Sequence, residues 1–129
     1  MTRSELIELA RQARERAYAP YSGFWVGAAI ETDDGECFTG CNIESASFSP
    51  TCCAERVAIF KAVSEGKTCV SAIAVVGGKA GESADEPCYP CGVCRQVMAE
   101  FCLPETPVYF ADGSVSTVGE LLPKSFGLK

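Results

Sequence analysis

The chain has 129 residues, 47% of them hydrophobic and 22% charged, the balance of a folded soluble protein and not of a disordered one. Its formal net charge is -6, so it lacks the basic face that a general nucleic-acid or anionic-membrane binder needs. There are nine cysteines and no histidine. Histidine-based catalysis and histidine metal ligands are therefore excluded, and any metal site must be built from thiolates and carboxylates.

The length fits one domain over residues 1–129 with a hydrophobic core of its own. The sequence has no run of about 20 apolar residues, so no transmembrane helix is expected. Met1-Thr2-Arg3-Ser4-Glu5 leads into an amphipathic pattern, not an apolar secretory leader. The expected location is the cytoplasm, where thiols stay reduced. An odd cysteine count also argues against a complete disulfide framework.

In chain order, Thr2 and Glu5 have capping-box spacing, and Leu6, Ile7, Leu9, Ala10, Ala13 and Ala17 recur with a helical period. A first helix is predicted over 3–17. Ala19-Pro20-Tyr21-Ser22-Gly23 reads as a turn, and Phe24 to Thr32 as a strand, with Gly27, Ala28 and Ala29 small enough for close packing. Asp33-Asp34-Gly35 predicts a hairpin, with Glu36 to Cys41 returning. A polar loop over 42–50 follows. If it is extended, Asn42 and Glu44 point the same way and can clasp a diol; on residue type alone, turn and cap chemistry is the favoured reading.

A second helix is predicted from Thr51 or Cys52 to a stop at Glu65-Gly66, apolar nearly all round and so buried. Val70 to Val76 reads as a strand covered on both faces. Gly77 to Glu86 reads as a polar loop, and Cys91 to Phe101 as a third helix. Pro107 to Ala111 and Ser114 to Thr117 are predicted strands around an Asp112-Gly113 turn. Thr117 and Glu120 repeat the capping-box spacing before a stop at Pro123. This order of elements suggests a layered α/β or α+β fold with a mixed sheet between helices.

The chemistry concentrates at two of these helix starts. Cys53, Ala54, Glu55 and Arg56 bring a thiol, a carboxylate and a guanidinium together, and Cys91 and Cys94 have the two-residue gap that lets both sulfurs reach one ion. Unpaired N–H groups at a helix start favour thiolate. Thiolates select zinc or iron–sulfur over magnesium or calcium, and three protein ligands leave the open position that catalytic zinc sites keep. Three thiolates overcompensate a divalent ion, and Arg56 can offset the excess by donating to them. Glu55 can accept and deliver protons beside the open position. A Cys-x-x-Cys pair alone also fits a redox pair or half of a structural zinc site. Either Cys52 or Cys88 can close a four-thiolate site with no open position and a purely binding role.

The combination of Cys53-Ala54-Glu55 with Pro90-Cys91-Gly92-Val93-Cys94 has the arrangement of zinc nucleobase deaminases. The chain as a whole resembles the small homotetrameric cytidine deaminases. The matching stretches are Tyr18 to Ser22, Phe24 with Val26 to Ala29, Gly40 to Glu44, Cys53 to Arg56, Lys61 to Gly66, Pro90 to Val97 and Glu120 to Pro123. The resemblance implies a three-layer α-β-α sandwich with a mixed five-stranded sheet. It implies one zinc ion on Cys53, Cys91 and Cys94, with Glu55 as proton shuttle, in the hydrolytic deamination of cytidine and 2′-deoxycytidine. It also implies Asn42 and Glu44 on the ribose hydroxyls, Phe24 against the pyrimidine, the Ala54 backbone on the base edge, and Phe126 reaching a neighbouring subunit's site. Tyr89 stands where the family commonly has serine, Phe48 where it commonly has tyrosine, and Trp25 is bulkier than usual.

Overall fold

The computed structural model describes residues 1–128. The elements run α1 (Arg3–Arg14), β1 (Phe24–Thr32), β2 (Cys37–Cys41), α2 (Ala54–Ser64), β3 (Val70–Lys79), α3 (Gly92–Phe101), β4 (Pro107–Phe110), β5 (Val115–Thr117) and α4 (Val118–Leu121). The strands form one mixed sheet in the order β2-β1-β3-β4-β5. Only β3 and β4 pair in parallel, Ile73 lying opposite Val108; the other neighbours are antiparallel. The parallel pair requires a crossover, and α3 supplies it.

Alternation along the strands sends side chains to two separate cores. On one face Ala29, Ala72, Ala74 and Val76 meet Leu6, Ile7 and Ala10 of α1. On the other, Ala28, Ile30, Ile73 and Val75 meet Ala58, Ile59 and Ala62 of α2 and Met98 of α3. The result is the expected α-β-α layering around a five-stranded mixed sheet. Val70 also faces α2 and α3, although it is an odd number of residues from Ile73. The register explains this: Glu31 pairs with Ala72 but Thr32 pairs with Val70, so Ser71 is bulged out. Its hydroxyl donates to the Glu31 carbonyl at 3.0 Å.

Two glycines set how closely the helices approach. A Cβ on Gly27 would lie 2.0 Å from the Ala10 carbonyl oxygen, so α1 rests directly on β1. A Cβ on Gly40 would lie 2.6 Å from the Ala54 carbonyl oxygen, so the first turn of α2 rests directly on β2. Gly40 thereby fixes the height of the helix start that carries Glu55.

Several boundaries differ from the sequence expectation. Helix α1 ends at Arg14, not at 17, because the next three amides bond three residues back: Glu15 N–H to the Gln12 carbonyl, Arg16 to Ala13 and Ala17 to Arg14. Helix α2 begins at Ala54, two to three residues later than predicted. Strand β3 continues through Gly77 and Gly78 to Lys79, into the stretch read as loop, because it pairs with Phe24 to Val26. A Cβ on Gly77 would meet the Cys88 sulfur at 2.6 Å, which accounts for glycine inside a strand.

Candidate active site

Helices α2 and α3 start on cysteines. Cys53 is the N-cap of α2 (φ -72, ψ 155) and Cys91 the N-cap of α3 (φ -69, ψ 168), and neither thiol caps its own helix. The approach to Cys53 is fixed by a two-residue bridge in which Ile43 and Cys52 exchange N–H donors at 3.0 and 2.9 Å. That places Cys52 in extended backbone, so its side chain leaves opposite to that of Cys53.

The sulfurs of Cys53, Cys91 and Cys94 all lie within 4.8 Å of one another. The Cys53 and Cys91 sulfurs are 3.6 Å apart. Cys52 and Cys88 stay outside this cluster, so it holds three sulfurs and not four. Arg56 donates from Nη2 to the Cys53 sulfur at 3.4 Å, and its buried Nε has no partner among the described residues. A hydrogen bond from Cys94, helped by Arg56 and Cys91 and opposed by burial, draws the Cys53 thiol down to about 5. The same bond and burial push Cys94 far above the ordinary thiol range. Three convergent sulfurs backed by a guanidinium suit a thiophilic divalent ion.

Glu55 sits in the first turn of α2 and is only 4% exposed. Burial pushes its carboxyl up to about 7, and the negative charge of Cys53 adds to the effect. Cys88, close enough to feel the charges of Glu55 and Cys53, is held protonated by burial, which lifts it to about 11. Glu55 is the one buried carboxylate among the described residues, and it is in the range where a group can both take and give a proton.

Residues 42–44 are extended, as Ile43 bridges Tyr18 on one side and Cys52 on the other. Asn42 and Glu44 accordingly leave on one side. Asn42 donates from Nδ2 to the Phe24 carbonyl at 2.8 Å and accepts from the Val26 N–H at 2.9 Å. Glu44 accepts the Ser22 hydroxyl and the N–H groups of Tyr21 at 2.9 Å and Ser22 at 3.1 Å. The Ser22 hydroxyl above all holds its carboxyl below the usual carboxylate range. The turn-and-cap chemistry favoured on residue type is therefore present. It also fixes the orientation of both side chains. Sequence reasoning missed Tyr21 and Ser22 as the anchors of Glu44; their place in the Ala19-to-Gly23 turn was the available signal.

Phe24 opens β1 and is partly exposed, while Ala54 is fully buried at the first residue of α2. A cavity of ≈ 360 Å³ lies against Tyr21, Glu44, Phe48 and Thr51, and one of ≈ 450 Å³ against Phe24, Gly78 and Cys88. The larger groove of ≈ 480 Å³ lies along the β2 edge of the sheet, lined by Arg16, Cys41 and Lys61, and holds none of the predicted site residues. Tyr89 packs edge-on against Phe110, with ring centroids 4.9 Å apart. Phe126 is exposed near the end of the chain, and its carbonyl accepts from Gln96 Nε2 at 3.2 Å.

Comparison with known proteins identifies the family. The family model for the cytidine and deoxycytidylate deaminase zinc-binding region matches residues 1–110. The cytidine deaminase of Halalkalibacterium halodurans is 52% identical over 98% of this chain and 95% of its own length. That of Sporosarcina psychrophila is 49% identical over 95% of this chain and 89% of its own. The crystal structure of cytidine deaminase from Burkholderia pseudomallei superposes with a TM-score of 0.87 at 48% identity, covering 98% of this chain and 100% of that one. The Mycobacterium tuberculosis cytidine deaminase superposes with a TM-score of 0.86 at 39% identity, covering 99% of each chain. The chain belongs to the cytidine and deoxycytidylate deaminase family. It is a hydrolase of the cytidine deaminase kind, acting on C–N bonds.

Proposed function

We propose that this chain catalyses the zinc-dependent hydrolytic deamination of cytidine and 2′-deoxycytidine to uridine and 2′-deoxyuridine, with release of ammonia, in pyrimidine salvage. The observation that carries the reading is the buried Glu55 carboxylate beside a three-sulfur cluster built on two helix starts. Cys53, Cys91 and Cys94 would hold one zinc ion per subunit. When bound, that ion supplies Lewis-acid activation of the attacking water.

The chain's own residues supply the rest. Glu55 accepts the proton that the water loses and delivers it to N3 of the base as oxygen adds at C4. It then passes the second proton to the exocyclic amine, which leaves as ammonia. Atoms balance: the nucleoside gains one water and loses ammonia. Arg56 draws negative charge off Cys53 through the 3.4 Å bond. Asn42 and Glu44, already held by backbone donors and acceptors, are preorganised to take the ribose hydroxyls. Phe24 would lie against the pyrimidine and the Ala54 backbone against the base edge.

Phe126 would complete the site of a neighbouring subunit in a homotetramer. The whole chain forms one catalytic domain, working in the cytoplasm on a free nucleoside and requiring neither a nucleic acid nor a membrane. Among the described residues, no helix is long and apolar enough to cross a membrane. The test is the loss of cytosine absorbance on incubating the zinc-loaded protein with cytidine, 2′-deoxycytidine, CMP, cytosine and a 5-substituted cytidine. The two unmodified nucleosides are expected to turn over fastest. No turnover of either refutes the reading.

A further inference from the structure

The stretch Cys94-Arg95-Gln96 follows the sulfur cluster, and the proposed chemistry uses only its cysteine. The guanidinium of Arg95 spans two backbone carbonyls that belong to different parts of the molecule. Nε donates to the Pro90 carbonyl at 2.7 Å, and Nη1 to the Leu121 carbonyl at 2.8 Å. The backbone N–H of the same residue donates to the Cys91 carbonyl at 3.0 Å, closing the first turn of α3. The guanidinium therefore holds the Pro90 carbonyl, in the peptide plane that leads into Cys91, while the backbone helix bond holds the plane that follows it, and together they aim the Cys91 sulfur.

Leu121 is the last residue of α4, where a carbonyl has no partner within the helix and favours a cation. From there the chain runs to Phe126, whose carbonyl accepts from Gln96. Both ends of the 121–126 segment are thus fastened to consecutive residues of α3. The start of α4 is held independently, by Val118 N–H on the Thr106 carbonyl and Gly119 N–H on the Pro104 carbonyl. Losing Arg95 frees the end of α4 without unseating the helix.

We infer that Arg95 is a positioning residue that sets the Cys91 turn and the Phe126 tail in one register, so that metal retention and substrate affinity depend on the same guanidinium. The inference rests on the proposed roles of Cys91 and Phe126. Lysine is no substitute, because an ammonium lacks the planar fork that serves two acceptors at once.

The test uses the zinc-loaded full chain and the variants Arg95→Met, Gln96→Met and Phe126→Ala, with folding checked by thermal melting. Zinc release to a chromogenic chelator and the separate values of KM and kcat are measured. In Arg95→Met, zinc release is expected to quicken about tenfold, the scale of lost outer-shell support, and KM to rise. In Gln96→Met, KM should rise while zinc release stays as in the parent. Parental zinc release and KM in a folded Arg95→Met overturn the inference. Unchanged KM in Phe126→Ala overturns the role given to that residue and the tail half of the inference with it; the zinc-release rate still decides the Cys91 half. If Arg95→Met does not fold, Arg95→Lys carries the test, and movement in neither readout refutes the inference.

Discussion

The helices of this protein begin in two ways. Helices α1 and α4 start on Thr2 and Thr117, each with a complete capping box to the glutamate three residues on. Helices α2 and α3 start on Cys53 and Cys91 with the same extended N-cap backbone but no side-chain cap. A hydroxyl cap is worth about 1 kcal/mol, so each of the latter pair forgoes roughly that much. The unpaired N–H groups leave the partial positive charge of a helix start beside the sulfur cluster, where it favours thiolate. The difference teaches that a helix start left unfinished as local structure marks the chemistry, and the finished ones mark the scaffold.

The sharpest way to break this comparison is to finish a cysteine start with a hydroxyl. Cys53→Ser should lose zinc and nearly all turnover. With a chelator present, the variant should melt above the parent, because serine caps α2; with zinc present it should melt below, because the parent alone gains binding energy. A variant melting below the parent in both conditions would contradict the capping argument. Removing Arg56 is the next largest change. Arg56→Ala should lower kcat/KM about tenfold or more by leaving thiolate charge uncompensated, and a parental rate would remove that role.

The two glycines extend the comparison to the sheet faces. Gly27→Ala and Gly40→Ala should each cost about 2 kcal/mol in denaturant melts, since a backbone must yield to the new methyl group. Only Gly40→Ala should also lower turnover, because it lifts the helix start bearing Glu55. Equal turnover in the two variants would break the link between Gly40 and the site. The smallest effect belongs to Thr2→Ala, which should cost about 1 kcal/mol of stability with kcat and KM unchanged.

What could be read from the sequence was whatever depends on near neighbours in the chain. Both capping boxes, the Asp33-Asp34-Gly35 hairpin, the extent of β1 and the Cys91–Cys94 spacing are of this kind. The strand at Gly77 and Gly78 was not legible, because glycine signals a loop unless something packs against it, and what packs here is Cys88 on Gly77 and Ala84 on Gly78, residues further along the chain. The end of α1 was hidden for a similar reason. Arg14 looks like a surface residue, yet its guanidinium donates to the carbonyls of Trp25 at 3.0 Å and Lys79 at 2.7 Å. At the site, the third sulfur and the buried carboxylate followed from the Cys-Ala-Glu register. The anchoring of Glu44 by Tyr21 and Ser22, and the two carbonyls shared by Arg95, depend on segments that only folding brings together.

In the proposed chemistry, two bare helix starts assemble a metal site for which Glu55 moves the protons. Metal content and turnover of Glu55→Gln, measured on the same preparation, test it most directly. The side chain keeps its shape and loses only its capacity to carry a proton. One zinc ion per chain is expected, with turnover reduced about a thousandfold, within the range of a lost general acid–base. A zinc-loaded Glu55→Gln that turns over cytidine at the parental rate would contradict it.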